Sequence, residues 1–345
     1  MLEIIKPITL LLLPLAISAL IIAIFYGKGN WLKERWTSAF ILHPEKGLIE
    51  QGLLWFSMLV PFLYGTAAGI IIWSDYSLSL TPEGLSTFTK ISVIPLALFS
   101  LSLPLTVLAS RFHATAQTAN QIKITKYKNN VDSFYSHRKE LFGYFEKISD
   151  VDFLGSFTAN YDIHPRIHKV LFTGKPADGT PQINEGAFKE IERDLDSAHW
   201  MIDGIIRDSN PKITYSMYIA NACSAIYHLS QKLGLREIYI TLADKSTLVP
   251  VTLEDGSKDL LTVGTTTTDL IAAYRYAHSF FVNLCDFSGF EPSPIVNDRY
   301  KYILTGGSYI SITNPPVIER LHREEIAQAI AEQQHKQFQS SIQKT

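Results

Sequence analysis

Three stretches of this sequence contain no charged residue: Pro7–Gly27, Gly52–Ser74 and Ile91–Ser110. A helix rises about 1.5 Å per residue, so about 20 apolar residues reach across the ~30 Å hydrocarbon core of a bilayer. A lysine, arginine, aspartate or glutamate lies within two residues of both ends of each stretch. The whole-chain mean hydropathy of +0.08 and the 19% of charged residues conceal this, because most of the charge follows Ser110. Residues 1–110 therefore read as a transmembrane region with spans at about 7–27, 52–74 and 91–110. The alternative is two spans, in which only the hairpin Gly52–Ser110 inserts and the first segment lies in the interface. The first run is too long for a signal-peptide core, and no small-x-small cleavage site closes it before Tyr26-Gly27-Lys28.

Basic residues favour the cytoplasmic side of a membrane. Lys28, Lys33, Arg35 and Lys46 lie between the first two stretches, and only Lys90 lies between the second and third. Arg111, Lys123, Lys126, Lys128, Arg138 and Lys139 follow the third. The expected topology is a multi-pass membrane protein. Its N-terminus is outside, Lys28–Gln51 inside, Asp75–Lys90 outside and the C-terminal part cytoplasmic.

Ionisable residues within a bilayer mark transport and proton pathways, and none of the three stretches has one. What they offer instead is packing. Gly65-Thr66-Ala67-Ala68-Gly69 is a GxxxG, with Ala68 widening the small face. It serves a contact inside one protomer's hairpin or self-association into a homo-oligomer. Pro61, Pro95 and Pro104 each remove a backbone hydrogen bond and favour a kink.

No proline or glycine occurs between Arg111 and Phe142, so residues 111–150 are expected to form a helical stalk. Ile124, Tyr127, Val131, Phe134, Arg138, Leu141, Phe145 and Ile148 repeat at three-four spacing. Such a seam fits an amphipathic helix packed on its own domain, or a coiled stalk between protomers. Arg138 at a core position would set register or meet an acidic partner. Residues 151–345 read as a mostly helical cytoplasmic domain. Phe188, Ile191, Leu195, Ala198, Ile202 and Ile205 mark one helix. Tyr215–Leu233 ending at Gly234, Thr265–Asp286 and Val317–Gln337 mark others. Within Glu237–Val263, Ile238–Leu242 and Thr247–Leu253 read as strands of a small β insert. The fold class is therefore mainly α.

No phosphate loop, dinucleotide fingerprint or nucleophile elbow occurs, and Gly306-Gly307 has no phosphate-loop context. His164 and His168 are four apart but Pro165 divides them. His199 lies near Asp194, Asp196 and Asp203, and Asp269, His278 and Asp286 share one apolar helix; solvated or structural roles are expected for all of these. Cys223 and Cys285 sit in apolar runs as buried thiols, without metal-ligand spacing. No catalytic, cofactor-binding or metal site is expected, and the net charge of −2 gives no whole-chain signal for nucleic acid. The basic residues of Gln121–Lys139 are explained by topology and lipid headgroups. Membrane lipids are the expected partner, and function by contact or conformational change is favoured over catalysis.

The spans are followed by Arg111-Phe112-His113, a helix with Gln117, Gln121 and Asn129-Asn130, and then Phe134-Tyr135-Ser136-His137-Arg138-Lys139-Glu140-Leu141-Phe142. In this layout the hairpin and stalk resemble the transmembrane effector proteins encoded beside retron reverse transcriptases in bacterial anti-phage systems. The resemblance implies a toxin-like protein, held quiet by its reverse transcriptase with the RNA–DNA hybrid. Release during phage infection would damage the inner membrane and abort the infection. It assigns no residue roles. A membrane-anchored sensor or scaffold for a cytoplasmic protein or nucleotide is the alternative.

Overall fold

A computed structural model describes residues 2–207, 218–253, 256–293, 301–305 and 315–342. The chain is mainly helical. It divides into two units, Met1–Lys128 and Asn129–Thr345.

In the first unit α1 (Leu2–Tyr26) runs antiparallel to α3 (Gly52–Trp73): Tyr64 Oη donates to the Leu11 carbonyl, and a Cβ on Gly52 would lie 3.2 Å from that of Tyr26. Between them sits α2 (Leu32–Phe40). The loop before α3 is closed by Gln51, whose buried amide accepts from His43 N–H (3.0 Å) and donates to the carbonyls of His43 (3.0 Å) and Gly47 (3.2 Å). Thr81 caps α4 (Pro82–Ile91) through its hydroxyl on Gly84 N–H, with Pro82 pre-set for the first turn.

The prolines explain where the next helices break. Pro95 has no N–H for the carbonyl of Ile91, the last residue of α4. Pro104 has none for Ser100, the last residue of α5 (Val93–Ser100). The regular helix pauses one residue on, at Ser92 and Leu101, whose backbones stay helical in φ and ψ and keep their N–H bonds to Phe88 and Ala97, before α6 (Ser102–Phe145) begins. Pro61 is buried inside α3 without ending it.

Two helices among the described residues, not three, are long and apolar enough to cross a membrane: α3, and the stretch Val93–Phe145 formed by α5 and α6. The three-span expectation is corrected at its first member. Within α1 the apolar run among the described residues is Leu10–Tyr26, so the described helices support the two-span alternative.

In the second unit the central helix is α10 (Thr267–Ser288), which buries Leu270, Tyr274, Tyr276, Phe280 and Leu284 on several faces. Its entry is fixed by a capping box of Thr266 and Asp269. Around it pack α7 (Ile167–Leu171), α8 (Glu185–Arg207), α9 (Ser224–Leu233) and the C-terminal turns of α6. Phe188, Ile191, Leu195, Ala198 and Ile202 of α8 are all buried, as their spacing predicts. The short α11 (Lys301–Leu304) and the terminal α12 (Pro315–Ile342) complete the helices described.

Three antiparallel hairpins punctuate this unit: β1 (Val151–Phe153) with β2 (Phe157–Ala159), β3 (Phe172–Thr173) with β4 (Gln182–Ile183), and β5 (Leu248–Leu253) with β6 (Gly256–Leu261). The last is the expected β insert, paired Leu248 to Leu261 through Leu253 to Gly256, and it packs Val249 against Ile326 and Ala329 of α12. Its first expected strand is corrected. Glu237–Leu242 is a π-helical turn in which Ile238 and Leu242 are both buried and Ile240 is exposed. Burial at four-residue spacing overrides the β-branched composition. Gly306-Gly307 and the first residues of the expected helix Tyr215–Leu233 lie outside the described residues.

Candidate functional site

The membrane-type hairpin is built on glycine-permitted approach. A Cβ on Gly65 of α3 would lie 3.0 Å from the Phe99 ring and 3.0 Å from the Pro95 carbonyl oxygen of α5. Gly65, Pro61 and Pro95 are buried, so the small face is used inside this chain's own hairpin. Phe62 meets Phe99 with ring centroids 5.3 Å apart. Gly69 is buried beneath the Trp73 ring, which stacks on Phe88 and donates to Ser92 Oγ at 3.0 Å. Ala68 is half-buried and Pro104 exposed. Between Gly65 and the helix end, α3 thus holds α5 and α4 together.

The heptad-spaced seam changes character along α6. Ile124 and Tyr127 are 60% and 61% exposed, whereas Leu141 and Phe145 are 0% and 1% exposed in the core of the second unit. Val131, Phe134, Arg138 and Ile148, the last in the turn after α6, are partly buried. Arg138 forms no ion pair among the described residues. Its guanidinium lies 5.7 Å from the Phe142 ring and reaches the Pro165 carbonyl at 3.5 Å.

The histidine pair suggested by spacing is not formed. His164 is exposed, its Nδ1 accepting from Arg166 N–H. His168 turns inward, and its Nε2 lies 3.1 Å from His137 Nδ1 on α6. One proton shared between these nitrogens satisfies both; a second finds no acceptor. The rings of Phe134, Phe172 and Phe287 surround the pair, with His137 and Phe172 centroids 4.6 Å apart. Burial, with His137 and Arg138 beside it, brings the His168 pKa down to about 4. Burial also lowers that of His137 against the opposing pull of Glu140. The two residues are 31 apart; spacing drew notice to His168 beside His164 and the stalk segment to His137, but nothing in the sequence paired them.

A scan against protein-family models, a search of curated proteins and a search of solved structures each return no match to this chain. The site therefore rests on its own geometry.

The remaining polar clusters satisfy themselves. His199 Nδ1 and Tyr274 Oη are 3.1 Å apart. Asp203 accepts from Arg207 Nε and from Tyr302 Oη, both at 2.6 Å. Lys232 bridges Glu190 and Asp194 at 2.7 Å each. Burial raises the Asp196 pKa, and burial with His199 nearby lowers that of His278, while Asp286 is exposed. Cys223 and Cys285 are buried and not joined in a disulfide, and burial pushes the Cys285 thiol up to about 12. Among the described residues no group of three or more His, Cys, Asp or Glu could hold a metal ion.

Two features lie beyond what spacing shows. His113, in the first unit, is 3% exposed and neither ring nitrogen has a hydrogen-bond partner among the described residues. In the second unit two cavities, of about 300 and 570 Å³, share His164 and Gly234. Gly234 ends α9 at φ +72°, and a Cβ there would lie 2.9 Å from that of His164. Arg236 lines the first cavity and Arg166 the second.

Proposed function

We propose that this chain is a membrane effector whose output is the packing of an apolar helix hairpin, with its second unit acting as a cytoplasmic restraint. The observation that carries the reading is the poor burial of its longest apolar segments. Only 17% of the most apolar window in Gly52–Trp73 and 11% of that in Val93–Phe145 is buried. A core helix of a water-soluble protein is covered by its neighbours, whereas a lipid-facing one leaves its apolar surface to the bilayer. The breaks at Ser92 and Leu101 give the hairpin joints about which it can repack. The absence of charge in its spans favours disruption over selective transport.

The sharper form of the proposal draws on the resemblance of the hairpin and stalk sequence to retron membrane effectors. In that form a reverse transcriptase with its RNA–DNA hybrid restrains the protein, and its release damages the inner membrane and aborts infection. Expression of the full chain alone in a bacterium should depolarise the inner membrane within minutes, and co-expression of the restraining partner should suppress this. Normal membrane potential and dye retention at high expression would overturn the effector reading.

A membrane-anchored sensor is the second reading, favoured by the two cavities that meet at His164 and Gly234. It predicts a thermal shift of the full chain with a nucleotide or protein ligand while membranes stay intact.

A further inference from the structure

An apolar groove of about 620 Å³ runs between α1 and α3 in the first unit. Its walls include Ile22, Phe25 and Tyr26 of α1 and Trp55, Met58 and Phe62 of α3. One end is marked by polar-tipped rings: Tyr26 and Trp55 stack at 6.5 Å, and Trp55 Nε1 donates to the Ile49 carbonyl at 2.8 Å. Tyr and Trp take such positions where a bilayer's apolar core meets its headgroups. Arg35 of α2 sits at the same end. It packs on Gly27, and its Nη2 donates to the carbonyl of Ile24, the residue before Phe25, at 2.8 Å. Its Nε is buried, but the residue as a whole is only half-buried, and the outer part of its guanidinium offers charge-assisted donors to a phosphate oxygen. The loop around it carries Lys28, Lys33 and Lys46 against Glu34, Glu45 and Glu50, and Glu34 is engaged by Asn30 N–H.

We propose that this groove is a phospholipid site that takes one acyl chain between α1 and α3 and holds an anionic headgroup at Arg35. The inference rests on the reading that α3 lies in a bilayer, since the acyl chain enters from there. Apolar walls with one polar end, and a volume within the ~300–1,000 Å³ of small-molecule sites, match the chemistry of a lipid rather than of a water-soluble ligand.

The test reconstitutes the full chain into phosphatidylcholine vesicles containing phosphatidylglycerol. One or other lipid carries a photoreactive group in the upper half of an acyl chain, close to the headgroup. Labelling should concentrate on Ile21–Tyr26 and Trp55–Phe62 above the lipid-facing Ile70, Ile71 and Leu103. Leu59→Trp, which fills the groove, should abolish that excess and leave the other positions labelled. Arg35→Gln should cut the preference for phosphatidylglycerol about fivefold, the effect of one cation near an anionic surface. Even labelling of all lipid-facing positions in the wild type would overturn the site whether or not the variants fold. An unchanged lipid preference in Arg35→Gln would overturn the headgroup assignment. A chain that fails to enter vesicles at all would overturn the membrane reading itself, and the site with it.

Discussion

His168 and His113 are both buried imidazoles, and their surroundings give them opposite consequences. The His168 pKa is about 4 in the folded protein and near 6.5 when unfolded, so between those values the unfolded chain binds the extra proton. Stability from this group is therefore complete above pH ~6.5 and is lost as pH falls toward 4. Wild type and His168→Phe should differ by a stability gap that changes across this window by on the order of 2 kcal/mol. Urea unfolding at several pH values measures it, and a gap that is constant with pH would refute the account. His113 has no such partner. Replacing it by Phe removes two unsatisfied nitrogens and should stabilise the first unit by about 1–3 kcal/mol in detergent. A loss of stability in both His113→Phe and His113→Leu would show that its nitrogens are bonded. Neither histidine's situation is legible in the sequence, because spacing along one helix says nothing of a residue 31 positions away or of a buried ring left alone.

Among the elements, helices α4 to α6 follow the prolines closely. Pro104→Ala restores a donor for the Ser100 carbonyl and should stiffen the turn at Leu101 between α5 and α6. On the proposed mechanism it should reduce membrane depolarisation at equal expression, because a joint is lost. Undiminished depolarisation in Pro104→Ala would remove the joint at Leu101 from the mechanism. These breaks could be read in advance, since proline acts on its own backbone four residues back. The α8 stripe was equally legible, because its period is local. Ile238–Leu242 was not: its β-branched residues suit a strand, but the burial of Ile238 and Leu242 is decided by the distant core. The seam of α6 was legible as periodicity only. Spacing treats Ile124 and Leu141 alike, and tertiary packing separates them.

For the whole molecule, the charge-free stretches marked out both helices that are long and apolar enough to cross a membrane among the described residues. They gave three spans where two are found, because lack of charge counts any apolar run of about 20 residues, whether it crosses a bilayer or lies along it. Topology can be tested on a quiet background, since Cys223 and Cys285 are both buried and the Cys285 thiol pKa is raised to about 12. A membrane-impermeant maleimide should label Ser77→Cys from outside intact cells. It should reach Glu332→Cys only after lysis; labelling of Glu332→Cys but not Ser77→Cys from outside would invert the proposed orientation.

The amide of Gln51 has a practical consequence for such work. By holding His43 and Gly47 it makes residues 43–51 a closed clasp rather than a free linker, so reporters and protease sites placed within it will unfasten the start of α3. The exposed residues 74–80, which carry no comparable side-chain clasp to distant backbone, are where the protein can be opened, tagged or split without disturbing either helix.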